Sequence, residues 1–341
     1  MKILYALQGT GNGHLSRAKE IIPFLRQHAE VDILISGNES ELILPFNITY
    51  QFHGFGFIFG KDGGIDWWKS LHNLNTKQLV SDIKNLNVKK YHLVISDFEP
   101  IAAWAAKLKK TPCISLSHQN AVLHKNAPKP LLFKPERWIL KYYAPSKMKF
   151  GFHFKTYSSS IFTPIIRREI RIQQVSKKGH YTVYLPSYSD KKLIKILSLI
   201  DDVKWQVFSK KTEQTYKFTK NLIIHPINEK SFIKSIATSN GVLCGAGFET
   251  PSEALFLGKK LLVIPMKNQY EQECNALALK DLGVNIIKKL NKKNIKKIEN
   301  WIQNAVSIKC DFPDYTEDIL TALIKPYFPE EEIDEQLISI S

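Results

Sequence analysis

Short apolar runs alternate with amphipathic stretches along nearly the whole chain. In the first half the runs are KILYALQ, VDILISG, ITYQFHG, HLVISDF, CISLSHQ and FGFHF; in the second they are YTVYLPS, WQVFSK, LIIHPIN, GVLCGAG, KLLVIPM and VNIIKKL. Continuous aliphatic runs of this kind suit strands buried on both faces, the situation of parallel sheets. Helical periodicity fills the gaps, as in KKLIKILSLID, KSFIKSIATS and ECNALALKDLG. The pattern predicts an α/β chain with two doubly wound, Rossmann-like sheets, each of about six strands. Serines and Pro164 break the periodicity in SSSIFTPIIRR, which divides the chain into a unit over 1–160 and a second over 165–312. A last amphipathic segment, TEDILTALIKPYF, and an acidic tail, EEEIDEQ, fall in 313–341 and are expected to pack back on the first unit. Two such units leave a cleft between the carboxyl ends of their strands, where open α/β sheets bind ligands.

Composition narrows the class. At 341 residues and 44% hydrophobic, the chain can bury two cores, and no run approaches the length of a membrane span. The opening MKILYAL gives way at once to QGTGNGH, too short for a signal core, so a cytoplasmic protein is expected. Cys113, Cys244, Cys274 and Cys310 lie far apart, which speaks against a zinc ribbon or a disulfide framework. The net charge of +16 makes nucleic acid, anionic lipid and phosphorylated ligands candidate partners. Arginine, however, occurs only at 17, 26, 137, 167, 168 and 171, and base reading favours arginine, so no nucleic-acid partner is expected. Residues 129–155 interleave seven Lys/Arg with Trp, Tyr and Phe around a single acid. Such a segment suits an anionic membrane surface, or a core helix with lysines reaching outward; the apolar FHGFGFIFG adds to the first reading.

The loop QGTGNGHLSRAKE follows the first strand and opens a helix. Gly9, Gly11 and Gly13 allow a tight turn and close approach to a ligand, and a helix N-terminus favours anions. The spacing is GxGxG, with His14 where a dinucleotide fingerprint needs a small residue, so NAD chemistry is disfavoured; GxxxxGK[ST] is absent too. His14 stands at the mouth of this loop, at the carboxyl end of the first strand, and a titratable imidazole there faces the cleft.

The most informative segment is GVLCGAGFETPSEALFLGKKLLVIPMKNQYEQECNALALKDLG, at 241–283. Thr250 followed by Pro251 reads as an N-cap with proline at the first helical position, so Gly245, Ala246 and Gly247 lead into a helix N-terminus suited to a diphosphate. TPSE also fits a capping box, in which Glu253 bonds back to Thr250.

This segment resembles the nucleotide-sugar-binding region of GT-B glycosyltransferases, most of all the MurG-type UDP-N-acetylglucosamine transferases. QGTGNGH is similar to that family's glycine-rich first loop, and SHQNA at 117–121 to its acceptor-side segment. The resemblance implies an enzyme that moves a hexosyl or N-acetylhexosaminyl group from a nucleotide-sugar donor, a UDP-sugar by preference, to a hydroxyl acceptor, one that could be lipid-linked. It implies that Glu253 holds the ribose diol and that Gln272 and Asn275 bond the donor sugar. Gly11, Asn12, Gly13, Gln119 and Asn120 would lie on the acceptor side or at a phosphate loop. LPSYSD departs from the family's glycine turn, although Ser187 and Ser189 can still bond phosphate, and Glu271 puts a carboxylate near the sugar. The chain has no DxD pair, so an inverting transfer without metal or organic cofactor is expected, peripheral to the membrane if the acceptor is a lipid. His14 is the first candidate for the base, then Asp97, then Glu99. A nucleotide-sugar 2-epimerase or an inactive nucleotide-binding protein of this architecture is the alternative.

Overall fold

A computed structural model describes residues 1–37, 44–54, 75–131 and 135–328. Most of FHGFGFIFG and all of EEEIDEQ lie outside the described residues. The first unit runs β1 (Lys2–Gln8), α1 (Asn12–His28), β2 (Glu30–Ser36), β3 (Tyr50–Phe52), α2 (Thr76–Asn85), β4 (Leu93–Asp97) and α3 (Pro100–Lys109). It continues with β5 (Cys113–Leu116), α4 (His118–Leu123), α5 (Glu136–Tyr143), β6 (Met148–Phe152) and β7 (Ile161–Phe162). A short helix, α6 (Arg168–Arg171), leads to β8 (His180–Tyr184), α7 (Asp190–Leu197), β9 (Lys204–Ser209), β10 (Tyr216–Thr219), β11 (Leu222–Pro226) and α8 (Glu229–Thr238). Then follow β12 (Gly241–Gly245), α9 (Glu249–Phe256), β13 (Lys260–Ile264), α10 (Tyr270–Asp281), β14 (Asn285–Ile286), α11 (Ile295–Asn304) and α12 (Thr316–Ile324).

The first sheet has the order β3-β2-β1-β4-β5-β6-β7 and is parallel throughout. The second has the order β10-β11-β9-β8-β12-β13-β14 and is parallel except for β10. Each sheet therefore has seven strands, one more than the apolar runs predict. The additional strands are β7, two residues inside the serine-rich break, and β10, an exposed YKFT edge strand that lacks an apolar run because neither of its faces is buried.

Central strands are apolar because helices cover both faces: Ile3 through Leu7 of β1 are fully buried. In α1, Leu15, Ala18, Ile21, Ile22 and Leu25 recur at helical spacing and are all buried. One contiguous apolar cluster joins these residues to Val242, Leu255 and Leu279 of the second unit and to Leu320 and Leu323 of α12, which packs against α1. The second unit has a further core of its own around Tyr181, Trp205 and Trp301.

Strand order reverses between β1 and β4 in one sheet and between β8 and β12 in the other. At such a switch point the loops leaving neighbouring strands diverge and open a crevice. The four loops concerned are those before α1, α3, α7 and α9. These loops and the element ends they join carry His14, Asp97, Ser187 and Gly247.

Candidate active site

These loops border a single cavity of about 880 Å3. Gly11, Asn12, Gly13, His14, Ser187, Gly247, Thr250, Glu253, Gln119 and Gln272 all line it. Phe98, Ile139 and Leu140 give it an apolar flank on the side of the first unit.

Helices α1 and α9 begin opposite one another. The approach is close: a Cβ on Gly13 would lie 3.0 Å from Glu249 Cγ, and a Cβ on Gly9 would lie 2.4 Å from the Gly37 carbonyl oxygen, which leaves no room for one. Just inside α1, His14 Nδ1 bonds Asp97 Oδ1 at 2.9 Å, with the imidazole 14% exposed and the carboxylate fully buried. Arg17, one turn further, donates from Nη2 to both Asp97 oxygens at 2.8 Å and from Nε at 3.1 Å. Its Nη1 donates to Glu249 Oε1 at 2.5 Å, which ties the first unit to the start of α9. Burial pushes the Asp97 carboxyl up, but the Arg17 guanidinium and the His14 ring outweigh burial and hold it below its usual range. Asp97 is thus an ionised partner lodged behind the imidazole, away from the cavity wall, and the geometry overturns it as an alternative base.

Glu99 is overturned too. It is fully buried, and its carboxylate accepts from Ile101 N at 2.9 Å and Ala102 N at 2.6 Å, capping α3. Burial pushes it up to about 7 against those two N–H bonds, which favour the ionised form. Between Asp97 and Glu99, Phe98 adopts the left-handed φ of 57°, a strained value for a non-glycine residue. That turn lets three successive residues serve the imidazole, the cavity wall and the helix cap.

In the second unit, α9 starts at Glu249, one residue before the expected cap, so Thr250 and Pro251 lie inside its first turn. Thr250 is therefore no N-cap, and the capping box is absent as well. Glu253 Oε1 instead receives Arg167 Nε at 2.6 Å, and Arg167 Nη1 reaches Glu229 at 2.8 Å. Gln272 Oε1 accepts Met266 N at 2.9 Å, and the residue lines the cavity.

Three more expectations fail on packing. Asn275 is fully buried and spent on Ala246 O (3.1 Å) and His118 Nε2 (2.8 Å), so it does not reach the cavity. Asn120 staples Ser115 and Phe150 within the first unit. Gly245 and Ala246 stand behind the wall, and only Gly247 is on it. Gln119, by contrast, crosses the cleft to Glu271 Oε2 at 3.0 Å.

Sequence reasoning missed Arg17, Arg167 and Glu249. For the arginines a signal existed: in a chain whose basic residues are mostly lysine, each arginine marks a place where a planar, multi-donor cation is needed. Glu249, inside GFETPSE, had no such mark.

The fold has counterparts among solved structures. Acinetobacter baumannii MurG matches with a TM-score of 0.58 at 16% identity, over 95% of this chain and 99% of that one. A UDP-glucosyltransferase from Polygonum tinctorium capable of glucosylating indoxyl matches with a TM-score of 0.59 at 12% identity, over 95% and 92%. Phytolacca americana UGT2, complexed with UDP-2fluoro-glucose and pterostilbene, matches with a TM-score of 0.54 at 11% identity, over 96% and 94%. At these identities the likeness is one of fold. No curated protein sequence matches the chain. The model of the family described as glycosyl transferase family 1 matches residues 1–305, so the chain belongs to that family and is a glycosyltransferase of GT-B architecture.

Proposed function

We propose that the chain transfers a sugar from a nucleotide diphosphate donor, a UDP-sugar by preference, to a hydroxyl acceptor with inversion and without a metal. The observation that carries this reading is the His14–Asp97–Arg17 chain at the cavity, joined through Arg17 to the start of α9. In this reading the shorter contact decides: Asp97 at 2.9 Å, not Arg17 Nη2 at 3.2 Å, fixes the His14 proton on Nδ1, and Nε2 is left as the basic nitrogen. Nε2 takes the acceptor's hydroxyl proton as the acceptor oxygen bonds to the anomeric carbon and the carbon–phosphate-oxygen bond breaks on the opposite face. The leaving diphosphate develops charge at the start of α9, where free N–H groups stabilise it and a metal clamp is unnecessary.

Gly247, Thr250 and Ser187 surround the diphosphate in this reading, and the second oxygen of Glu253 meets the ribose diol. Gln272 and Glu271 face the sugar. Phe98, Ile139 and Leu140 offer an apolar wall to the acceptor, in keeping with a lipid-linked one. Beside them α5 exposes Trp138 and Tyr142, with Lys141 over the Tyr142 ring, a surface suited to an anionic membrane. Salt-sensitive flotation with anionic but not neutral vesicles tests that contact. No helix among the described residues is long and apolar enough to cross a membrane.

The test of the reaction is a thermal-shift screen against UDP-, GDP-, dTDP- and CDP-sugars, followed by turnover of the winning donor in EDTA. One nucleotide should stabilise the fold by about 2.7 kcal/mol at a hundred times its dissociation constant. Turnover should survive the chelator. No stabilisation by any of the four, or loss of turnover restored by Mg2+, would overturn the donor and metal assignments respectively.

A further inference from the structure

Glu249 occupies a position that a donor-binding cleft does not obviously want filled by an acid. It opens α9, lines the same cavity as Gly247 and Thr250, and is 19% exposed. The groups that face it come from several elements: Arg17 and His14 from α1, Asp97 from β4, Tyr5 from β1, and Glu253 one turn along α9. Arg17 is shared between two acids, Asp97 and Glu249, so with a neutral imidazole this group retains one negative charge. Glu253 is matched by Arg167 and adds no cation to the balance. The start of α9 attracts anions through its free N–H groups, and the Glu249 carboxylate stands in the first turn there, held by Arg17 and not capping the helix. A diphosphate brought to the same place meets a like charge a few ångströms away.

We propose that Glu249 gates the donor end of the cleft: a nucleotide diphosphate settles at the start of α9 with Glu249 protonated, so that donor binding takes up one proton from solvent. Protonation removes the like charge and turns the side chain from a competitor into a hydrogen-bond donor for a phosphate oxygen. Arg17 keeps its hold on Asp97 through Nε and Nη2, so the base is undisturbed while Nη1 loses its charged partner. Burial pushes the Glu249 carboxyl up to about 7 despite Arg17, which puts the required proton within reach near neutrality. The competent form therefore predominates below that value, and affinity falls as pH rises through it. This proposal rests on the nucleotide-sugar reading given above.

Calorimetric titration with UDP-glucose, GDP-mannose, dTDP-glucose and CDP-glucose tests it, because their diphosphate diesters do not titrate between about pH 6 and pH 8.5. For the native protein, Kd should be flat below about pH 7 and weaken roughly tenfold per unit above it. At about pH 8, titrations in buffers of different ionisation enthalpy should report uptake of close to one proton. The native measurement needs no variant. Glu249→Gln is near-isosteric and should bind with no proton uptake, a flat pH profile and an affinity about tenfold tighter than native at pH 8. His14→Ala should keep the proton uptake, which assigns it to the carboxyl and not to the imidazole. A flat native profile, or uptake that persists in Glu249→Gln, overturns the gate while leaving the donor assignment standing. Binding of none of the four sugars by either protein at about pH 6 overturns the donor reading itself, and the gate falls with it.

Discussion

Arg17 is the cation that two acids of the cleft, Asp97 and Glu249, share. A carboxylate as buried as Asp97 would ordinarily recover its proton, and an imidazole beside a neutral acid would have no fixed tautomer. Three donor contacts from one guanidinium keep Asp97 ionised, and in the proposed mechanism that charge holds the proton of His14 on Nδ1, which Arg17 Nη2 approaches to 3.2 Å. Asp97→Asn is therefore expected to lower turnover by about 10²–10⁴-fold with a smaller change in donor KM, because the amide can no longer both accept from Arg17 and order the ring. Steady-state kinetics check this; unchanged turnover would make the His14–Asp97 contact merely structural. The residue scale is also where the sequence was least complete. His14 was legible because a glycine loop after a first strand exposes the following side chain. Its partner was legible only as a rival base, because Asp97 and Glu99 look alike on a line of text: which one lies behind the imidazole and which caps a helix depends on the left-handed turn at Phe98.

Elements were read more easily than their ends. Central strands announce themselves through apolar runs buried on both faces, whereas β7 and β10 have few or no buried residues and left no trace in the hydrophobic pattern. The start of α9 shows the same limit. TPSE satisfies a capping rule, yet the helix begins at Glu249 with no side-chain cap, since Arg17 on α1 claims the Glu249 carboxylate and Arg167 claims that of Glu253. These partners lie 232 and 86 residues away in the chain, beyond the reach of any local pattern. The difference changes what Glu253→Gln should do. A capping box would tolerate glutamine with a loss well under about 1 kcal/mol. A buried pair with Arg167 leaves a guanidinium short of its charge partner, so urea unfolding should show a loss of about 1–3 kcal/mol. If the free oxygen of Glu253 also meets the ribose, nucleotide affinity should drop about 10–150-fold in the same protein. Full stability together with full affinity would remove Glu253 from both roles.

At the scale of the whole molecule, the cleft is held by contacts that cross it. Arg17 reaches Glu249, Lys19 reaches Glu229, Gln119 reaches Glu271, and His118 meets Asn275. The last of these differs from the others in being wholly buried: His118 Nδ1 bonds Phe152 O at 2.7 Å, its ring stacks on Phe248 at 3.9 Å, and burial holds its pKa below the usual value. It joins α4 of one sheet to α10 of the other at the cavity, whose wall includes His118 with Asn275 behind it. By family likeness Asn275 would hold the donor sugar; by position it is a strut between the two units. The two roles make opposite forecasts for Asn275→Ala. If the amide bonded the sugar, the substitution would raise donor KM and leave stability nearly intact, since the residue would be facing solvent or ligand. If it is a strut, the substitution strands the Ala246 carbonyl and one nitrogen of His118 without partners, at a cost of about 1–3 kcal/mol. The expected result is a lower urea midpoint with an unchanged slope, and a donor KM within about threefold of native, because no atom of Asn275 borders the cavity. A raised KM with an unmoved midpoint would return Asn275 to the sugar and show that the two units close further over the donor than they do here.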